Sequence, residues 1–230
     1  MKNKPQKNPI KPVLLVLSLL LLPIPACEHM QPGPQGVKSA AYNIKRIAIM
    51  GFEPAVYQGD KTHEISSETA LLEKSYYMTS MLLEASGKYE GYELVGPDSV
   101  REAKAGIDIS EPGLGNDEIA GRIALELQAD AALTGYLYRW KDREGSDYAV
   151  KSPASVFFDL RLVSPDNGSI LWEGRFSKTQ RSLSDNLLDI KTFFKGKGKW
   201  MTAEGLAELG LNELTDDLFT FMKKEKGAEN

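Results

Sequence analysis

The sequence predicts an α/β (α+β) domain: a mixed sheet of four to five strands with an antiparallel β-meander, packed by helices. Three observations carry this expectation. A short apolar, β-branched run from Ile44 to Phe52 precedes a segment of helical period from Ser67 to Ser86. Two alternating runs, Ser155 to Val163 and Ser169 to Lys178, flank Pro165-Asp166-Asn167-Gly168, whose composition is that of a tight turn. Beyond Thr202 lies a helical stripe of Ala207, Leu211, Leu214, Leu218 and Phe221.

Ahead of the domain stand a basic stretch (Lys2, Lys4, Lys7, Lys11), an apolar run from Val13 to Leu22, and the tetrapeptide Ile24-Pro25-Ala26-Cys27. This is the three-part layout of a secretory signal. The apolar run is about ten residues, half of the roughly twenty that a membrane-crossing helix needs, so cleavage is expected rather than a permanent span. The tetrapeptide resembles a lipobox, with Pro25 where a small residue is usual, and the resemblance implies cleavage between Ala26 and Cys27 and lipidation of Cys27. Cys27 is the single cysteine. An unpaired thiol exported to an oxidising compartment is reactive, whereas a thioether-linked lipid removes that hazard and supplies an anchor. At about 0.8 kcal/mol per buried methylene, two acyl chains such as palmitate hold a domain stably at a membrane. The expected organisation is a signal peptide over 1–26, a tether over 27–42 containing Pro32, Gly33, Pro34 and Gly36, and one globular domain over 43–226.

Within the domain, the first strand is closed by Gly51 and Pro54, and a loop with Gly59, Asp60 and Lys61 follows. Leu71, Ser75, Met78, Leu82 and Ala85 define a packing helix that stops at Gly87. Tyr92 to Val95 reads as a short strand ended by Gly96-Pro97, Asp98 as the cap of a brief helix through Ala105, and Asn116 as the cap of a helix carrying Ile119, Ile123, Ala124 and Leu127. Ala131 to Trp140 alternates, placing Leu133, Gly135 and Leu137 on one side and Thr134, Tyr136, Tyr138 and Trp140 on the other. Trp140 to Pro153 reads as a charged connection. The next strand turns Val156, Phe158, Leu160 and Leu162 inward and Ser155, Asp159 and Arg161 outward, and its partner runs through Ile170, Trp172, Gly174 and Phe176. Ser184 or Asp185 can cap a helix with Leu187, Ile190 and Phe194, and Thr202 the last one.

The charge balance, 28 basic against 32 acidic residues, is mildly acidic, and the basic residues are dispersed, so neither nucleic acid nor an anionic lipid surface is an expected partner. The cluster Lys195-Gly196-Lys197-Gly198-Lys199 reads as a solvated loop. The two histidines, His29 and His63, fall in the tether and in a polar loop. They form no HExxH pattern, and no Gly-x-Ser-x-Gly elbow accompanies them, which argues against zinc and against a Ser-His-Asp nucleophile. Gly113-Leu114-Gly115 lacks the preceding strand and third glycine of a dinucleotide-binding turn. No cofactor or metal is expected. Asp159, Glu173 and Asp185 could supply an acid pair, yet outward carboxylates on an alternating strand are ordinarily solvated. Tyr136, Tyr138 and Trp140 are either sheet packing under a helix or, if one face of their strand is exposed, an aromatic surface for a partner.

The segments Ile47-Ala48-Ile49-Met50-Gly51-Phe52-Glu53-Pro54, Tyr92-Glu93-Leu94-Val95-Gly96-Pro97 and Leu127-Gln128-Ala129-Asp130-Ala131-Ala132-Leu133-Thr134-Gly135, with the hairpin from Phe158 to Phe176, resemble bacterial envelope lipoproteins with a CsgG-like, LpoB-like or TolB-N-terminal-like domain. That resemblance spans most of the chain after Cys27. It implies an envelope protein without catalytic residues, in a group that includes secretion pores and activators of cell-wall synthases. A pore would need long hairpins of about nine to eleven alternating residues per strand, for which the chain has no room. Glu28 after Cys27, where aspartate resembles an inner-membrane retention signal, implies the outer membrane, facing the periplasm. The expectation is a lipid-anchored, non-enzymatic assembly, adaptor or regulatory factor that meets another envelope protein, with self-association left open. The alternatives are a ring-forming scaffold of a secretion system without its own pore and a carboxylate-dependent cell-wall glycan hydrolase.

Overall fold

Strand β1 (Arg46–Pro54) sinks Ile47, Ala48 and Ile49 completely because it is paired in parallel on both edges, with β2 (Glu93–Val95) and with β3 (Ala131–Lys141). A strand covered on all sides is written as an unbroken apolar run rather than an alternating one. The computed structural model describes residues 44–57, 68–108, 113–146, 150–180 and 200–227. Ala26, Cys27, the tether, His63, the expected helix from Ser184 to Phe194 and the lysine cluster lie outside the described residues.

Helix α1 (Glu68–Gly87) connects β1 to β2, and helices α2 (Pro97–Gly106) and α3 (Asn116–Glu126) connect β2 to β3. After β3 come the short β4 (Glu144–Gly145) and β5 (Val150–Ser152), then β6 (Ser155–Val163), β7 (Ile170–Thr179) and α4 (Ala203–Gly227). The main sheet has the order β2-β1-β3-β6-β7, with β3, β6 and β7 antiparallel. The mixed five-stranded sheet with a terminal meander is the architecture that the periodicities predict. The β6–β7 turn forms at the expected place: Ser164 N–H donates to Ser169 O at 2.9 Å, and Gly168 takes φ +68°.

The two sheet faces are covered differently. On one, α1 and α4 bury Met78, Leu82, Leu206, Leu211 and Leu218 against Ile49, Leu133, Leu137, Phe158 and Leu160. On the other, α2 and α3 pack Val100, Ala120, Ile123 and Ala124 on Ala48, Val95, Ala132 and Val163. Of the stripes read from the sequence, Ser75, Met78, Leu82 and Ala85 in α1 and Ala207, Leu211, Leu214 and Leu218 in α4 are buried, while Leu71 and Phe221 at their ends are partly buried.

Three expectations need correction. The stretch from Trp140 to Pro153 contains the two-stranded ribbon β4–β5, whose short, mostly exposed strands carry no apolar alternation to announce them. Trp140 does not share a side with Tyr136 and Tyr138. Register runs from Leu137↔Phe158 directly to Arg139↔Phe157, so Tyr138 is an extra, bulged residue on β3. The bulge returns Trp140 to the side of Leu133 and Leu137, where Lys74 Nζ lies 5.1 Å from its ring centroid. The caps of α2 and α3 are Gly96 and Gly115 rather than Asp98 and Asn116. Pro97 takes the first helical position of α2, where its missing N–H costs nothing, and Glu118 Oε2 accepts the Gly115 N–H at 3.0 Å. Thr202 does cap α4, accepting the Gly205 N–H at 3.2 Å.

At Gly210, α4 packs tightly on the sheet: a Cβ there would come within 2.5 Å of the Phe176 ring and 2.8 Å of Phe158. At Gly205 the nearest atom to an added Cβ is the flexible end of Met201, at 3.4 Å. Gly→Ala inside a helix ordinarily stabilises by roughly 0.5–1 kcal/mol. Overpacking reverses that sign, so Gly210→Ala should destabilise by about 1–3 kcal/mol. Gly205→Ala should leave the urea midpoint unchanged or raised. Equal stabilisation by both substitutions would mean that α4 does not seat on Phe158 and Phe176.

Candidate functional site

On the face of β6 turned away from α1 and α4, the side chains of Phe157, Asp159 and Arg161 project in alternation with the core residues Phe158, Leu160 and Leu162. Outward carboxylates were expected to be solvated. Asp159 instead has 0% exposure. β6 is an inner strand of the sheet, and the register sets Asp159 between Tyr136 of β3 and Arg175 of β7. Neighbours on both sides therefore close over it.

Arg161 gathers three carboxylates from three elements. Its Nη1 lies 3.1 Å from Asp117 Oδ2 in the first turn of α3, its Nη2 3.5 Å from Asp159 Oδ2, and its Nε 3.3 Å from Glu173 Oε1 on β7. Arg175 Nη2 reaches Asp159 Oδ2 at 3.7 Å and Glu173 Oε1 at 3.6 Å. Two phenols complete the cluster. Tyr138 O–H donates to Asp159 Oδ2 at 2.8 Å, and Tyr136 O–H donates to Asp117 Oδ1 at 3.1 Å. The Arg161 guanidinium stacks 4.8 Å over the Tyr136 ring, and Tyr57 packs its edge on Phe157 and Tyr138.

The electrostatics follow from burial and pairing. Burial raises Asp159 above its ordinary range, a push that the Tyr138 hydrogen bond and the two arginines only partly offset. Asp159 Oδ1 is buried without a hydrogen-bond partner among the described residues. Burial also raises Tyr136 and Tyr138, and the carboxylate facing each raises it further, so both phenols stay protonated donors. For Arg161, burial pulls the pKa down, but Asp159, Asp117 and Glu173 together outweigh it and hold the guanidinium charged.

Acid–base hydrolysis needs one carboxylate free to give a proton and another open to water or substrate. Here Asp159 is sealed, and both Asp159 and Glu173 contact the same two guanidinium groups; Asp185 lies outside the described residues. The cluster is arranged to tie α3, β6 and β7 together electrostatically. Among the described residues no group of three or more His, Cys, Asp or Glu is placed to hold a metal ion.

The aromatic residues considered for partner contact are dispersed by the bulge: Tyr136 and Trp140 are buried, at 8% and 5% exposure, and Tyr138 is half-buried. A different apolar surface stands out. Leu72 and Tyr76, one helical turn apart on α1, are exposed, Tyr76 at 67%, and Tyr77 and Val56 are exposed as well. The signal for it was a second i, i+4 apolar pair running beside the buried Ser75–Met78–Leu82 stripe. Leu72 and Tyr76 edge an open cleft of about 520 Å³ between α1, the end of β1, and helices α2 and α3.

No protein-family model matches the chain, and no curated protein matches it. Solved structures with which it shares partial likeness include the protein CT253 of Chlamydia trachomatis, 12% identical over 78% of this chain and 98% of that one, with a TM-score of 0.44. Another is the LpoB C-terminal domain of Salmonella enterica, 17% identical over 59% and 83%, with a TM-score of 0.36. Lipoprotein GNA1162 of Neisseria meningitidis is 14% identical over 66% and 92%, with a TM-score of 0.39.

Because Asp159 holds its proton more tightly folded than unfolded, the folded state binds more protons between the ordinary value of 3.8 and the higher folded value. Stability should therefore fall as pH rises through that window. Urea denaturation at stepped pH should show the wild-type chain losing stability relative to Asp159→Asn across it. A difference that stays flat or grows with pH would contradict the burial-driven shift.

Proposed function

We propose that this chain is a lipid-anchored, non-enzymatic factor of the bacterial cell envelope, held at the outer membrane through Cys27 and presenting its domain in the periplasm to another envelope protein as an assembly, adaptor or regulatory component. The sequence supports the anchor: a basic stretch, a short apolar run and a lipobox-like tetrapeptide precede a lone cysteine. The observation that carries the binding role is the exposed row of Leu72 and Tyr76 on α1. The same helix buries Ser75, Met78 and Leu82 completely, so the fold already has its packing face, and the second apolar row serves contact with something outside the domain. The glycan-hydrolase alternative lacks support from the carboxylates: Asp159 and Glu173 are committed to Arg161 and Arg175.

Placing a photo-crosslinking residue at Tyr76 in the full chain, in cells, should trap one envelope protein. The adduct should drop about fivefold or more with Leu72→Ala, as expected for a contact residue. The same probe at Leu125, which is 61% exposed on α3, should give none. Adducts of equal yield from both positions, or an adduct only between copies of this chain, would contradict the adaptor reading. The anchor is tested apart from it: Cys27→Ser should release the chain from salt-washed membranes, and retention would mean that the lipid is not what holds it.

A further inference from the structure

We propose that the cleft at the carboxyl edge of β1 binds a small amphipathic anion, a carboxylate or phosphate head on an apolar body. The place follows from topology. β1 is where the strand order reverses, since α1 leads from it to β2 over one face of the sheet while α2 and α3 lead on to β3 over the other. The two crossovers part at the end of β1 and leave a crevice there, as open parallel sheets do at such switch points. Its volume, about 520 Å³, suits a small ligand.

The walls divide by chemistry. Phe52, Ile119 and Ile123 give an apolar interior with the exposed Leu72 at its edge, while Arg101 and Lys104 of α2 stand against the single lining carboxylate, Glu53. Pro97 and Asn116, the first residues of α2 and α3, also line the cleft, each at the head of a lateral face that continues through Lys104 and Ile123 respectively. The acidic residues in the first turn of α3 are already engaged, Asp117 by Arg161 and Tyr136, and Glu118 by the Gly115 N–H. The existing partners of the two cations are exposed and weak: Lys104 Nζ is 3.7 Å from Glu53, and Arg101 Nη1 is 3.1 Å from Asp98. An incoming anion competes with them readily.

Thr134 is the independent pointer to a ligand. It lies on β3 opposite Gly51, lines the cleft, and is buried to 5% exposure, yet its Oγ1 has no hydrogen-bond partner among the described residues. Buried hydroxyls are nearly always paired, and an unpaired one on a residue that lines a cleft can pair with a bound group once the wall shifts enough to uncover it. Thr79, on the α1 side of the same cleft, is by contrast satisfied: its hydroxyl donates to Ser75 O and accepts the Phe52 N–H at 2.8 Å. The polar group left for a ligand is thus Thr134, set deep, with Arg101 and Lys104 nearer solvent.

Isothermal titration of the full chain in lipid nanodiscs with hexanoate, hexyl phosphate and hexanol, against empty discs, tests this. At least one anion should bind about tenfold or more tightly than hexanol, and the tighter anion identifies the head group. Thr134→Val, which keeps the shape and removes only the unpaired hydroxyl, should weaken binding about fivefold while leaving the unfolding midpoint unchanged or raised. Arg101→Gln with Lys104→Gln should reduce the anions to the affinity of hexanol. Hexanol binding as tightly as both anions, unchanged affinity in Thr134→Val, or no heat above the blank would overturn the proposal. The cleft shares Leu72 and Tyr76 with the proposed partner surface, and the two readings are told apart by their readouts: heat of binding for the hexyl anions, protein adducts for crosslinking at Tyr76.

Discussion

One guanidinium sets how the helical layer meets the meander. Arg161 touches Asp117 of α3, Asp159 of its own strand and Glu173 of β7. Without it, Asp117 would face Asp159 and Glu173 with Arg175 left to pair only the latter two, in a partly buried place where like charges repel and unpaired ones are costly. With it, the start of α3 is tied to the centre of the sheet. The glycines make the same contact from the other side: an added Cβ at Gly121 would lie 2.7 Å from Ser164 O, and one at Gly168 would lie 2.6 Å from the Glu118 backbone. Ion pairing and close backbone approach thus locate one helix end together.

That location reaches the cleft. Asn116, Ile119, Ala120 and Ile123 of α3 form one of its walls, and Thr134 and Tyr136 of β3 lie beneath them. Tyr136 belongs to both regions, since its ring carries the Arg161 guanidinium and its hydroxyl holds Asp117. The polar cluster is therefore best understood as the support of a site beside it. Across the cleft, α1 carries the exposed Leu72 and Tyr76 while it buries Ser75, Met78 and Leu82 in the core.

Much of this was legible in the sequence. Periodicity gave α1 and α4 their buried stripes and β6 and β7 their inward residues, and Pro165-Asp166-Asn167-Gly168 fixed the hairpin between them. What escaped has physical reasons. A bulge is one inserted residue, so it cannot be seen in an alternating pattern, and it moved Trp140 across the sheet. Alternation tells which side Asp159 and Thr134 occupy but not what lies over them, so the burial of one and the unpaired hydroxyl of the other needed tertiary structure. The Leu72–Tyr76 row was present in the sequence but masked by the stronger stripe beside it. The proposed membrane anchor is the reverse case: it rests on the pattern of the first 27 residues alone, which lie outside the described residues.

The central claim is that Arg161 and Asp117 bind α3 to the meander, and a double-mutant cycle with Arg161→Met and Asp117→Asn, measured by urea unfolding, tests it most directly. A coupling energy of about 0.5–3 kcal/mol is predicted for two groups in direct contact within one network. Losses that add to within about 0.3 kcal/mol would contradict it, since that is the behaviour of independent sites.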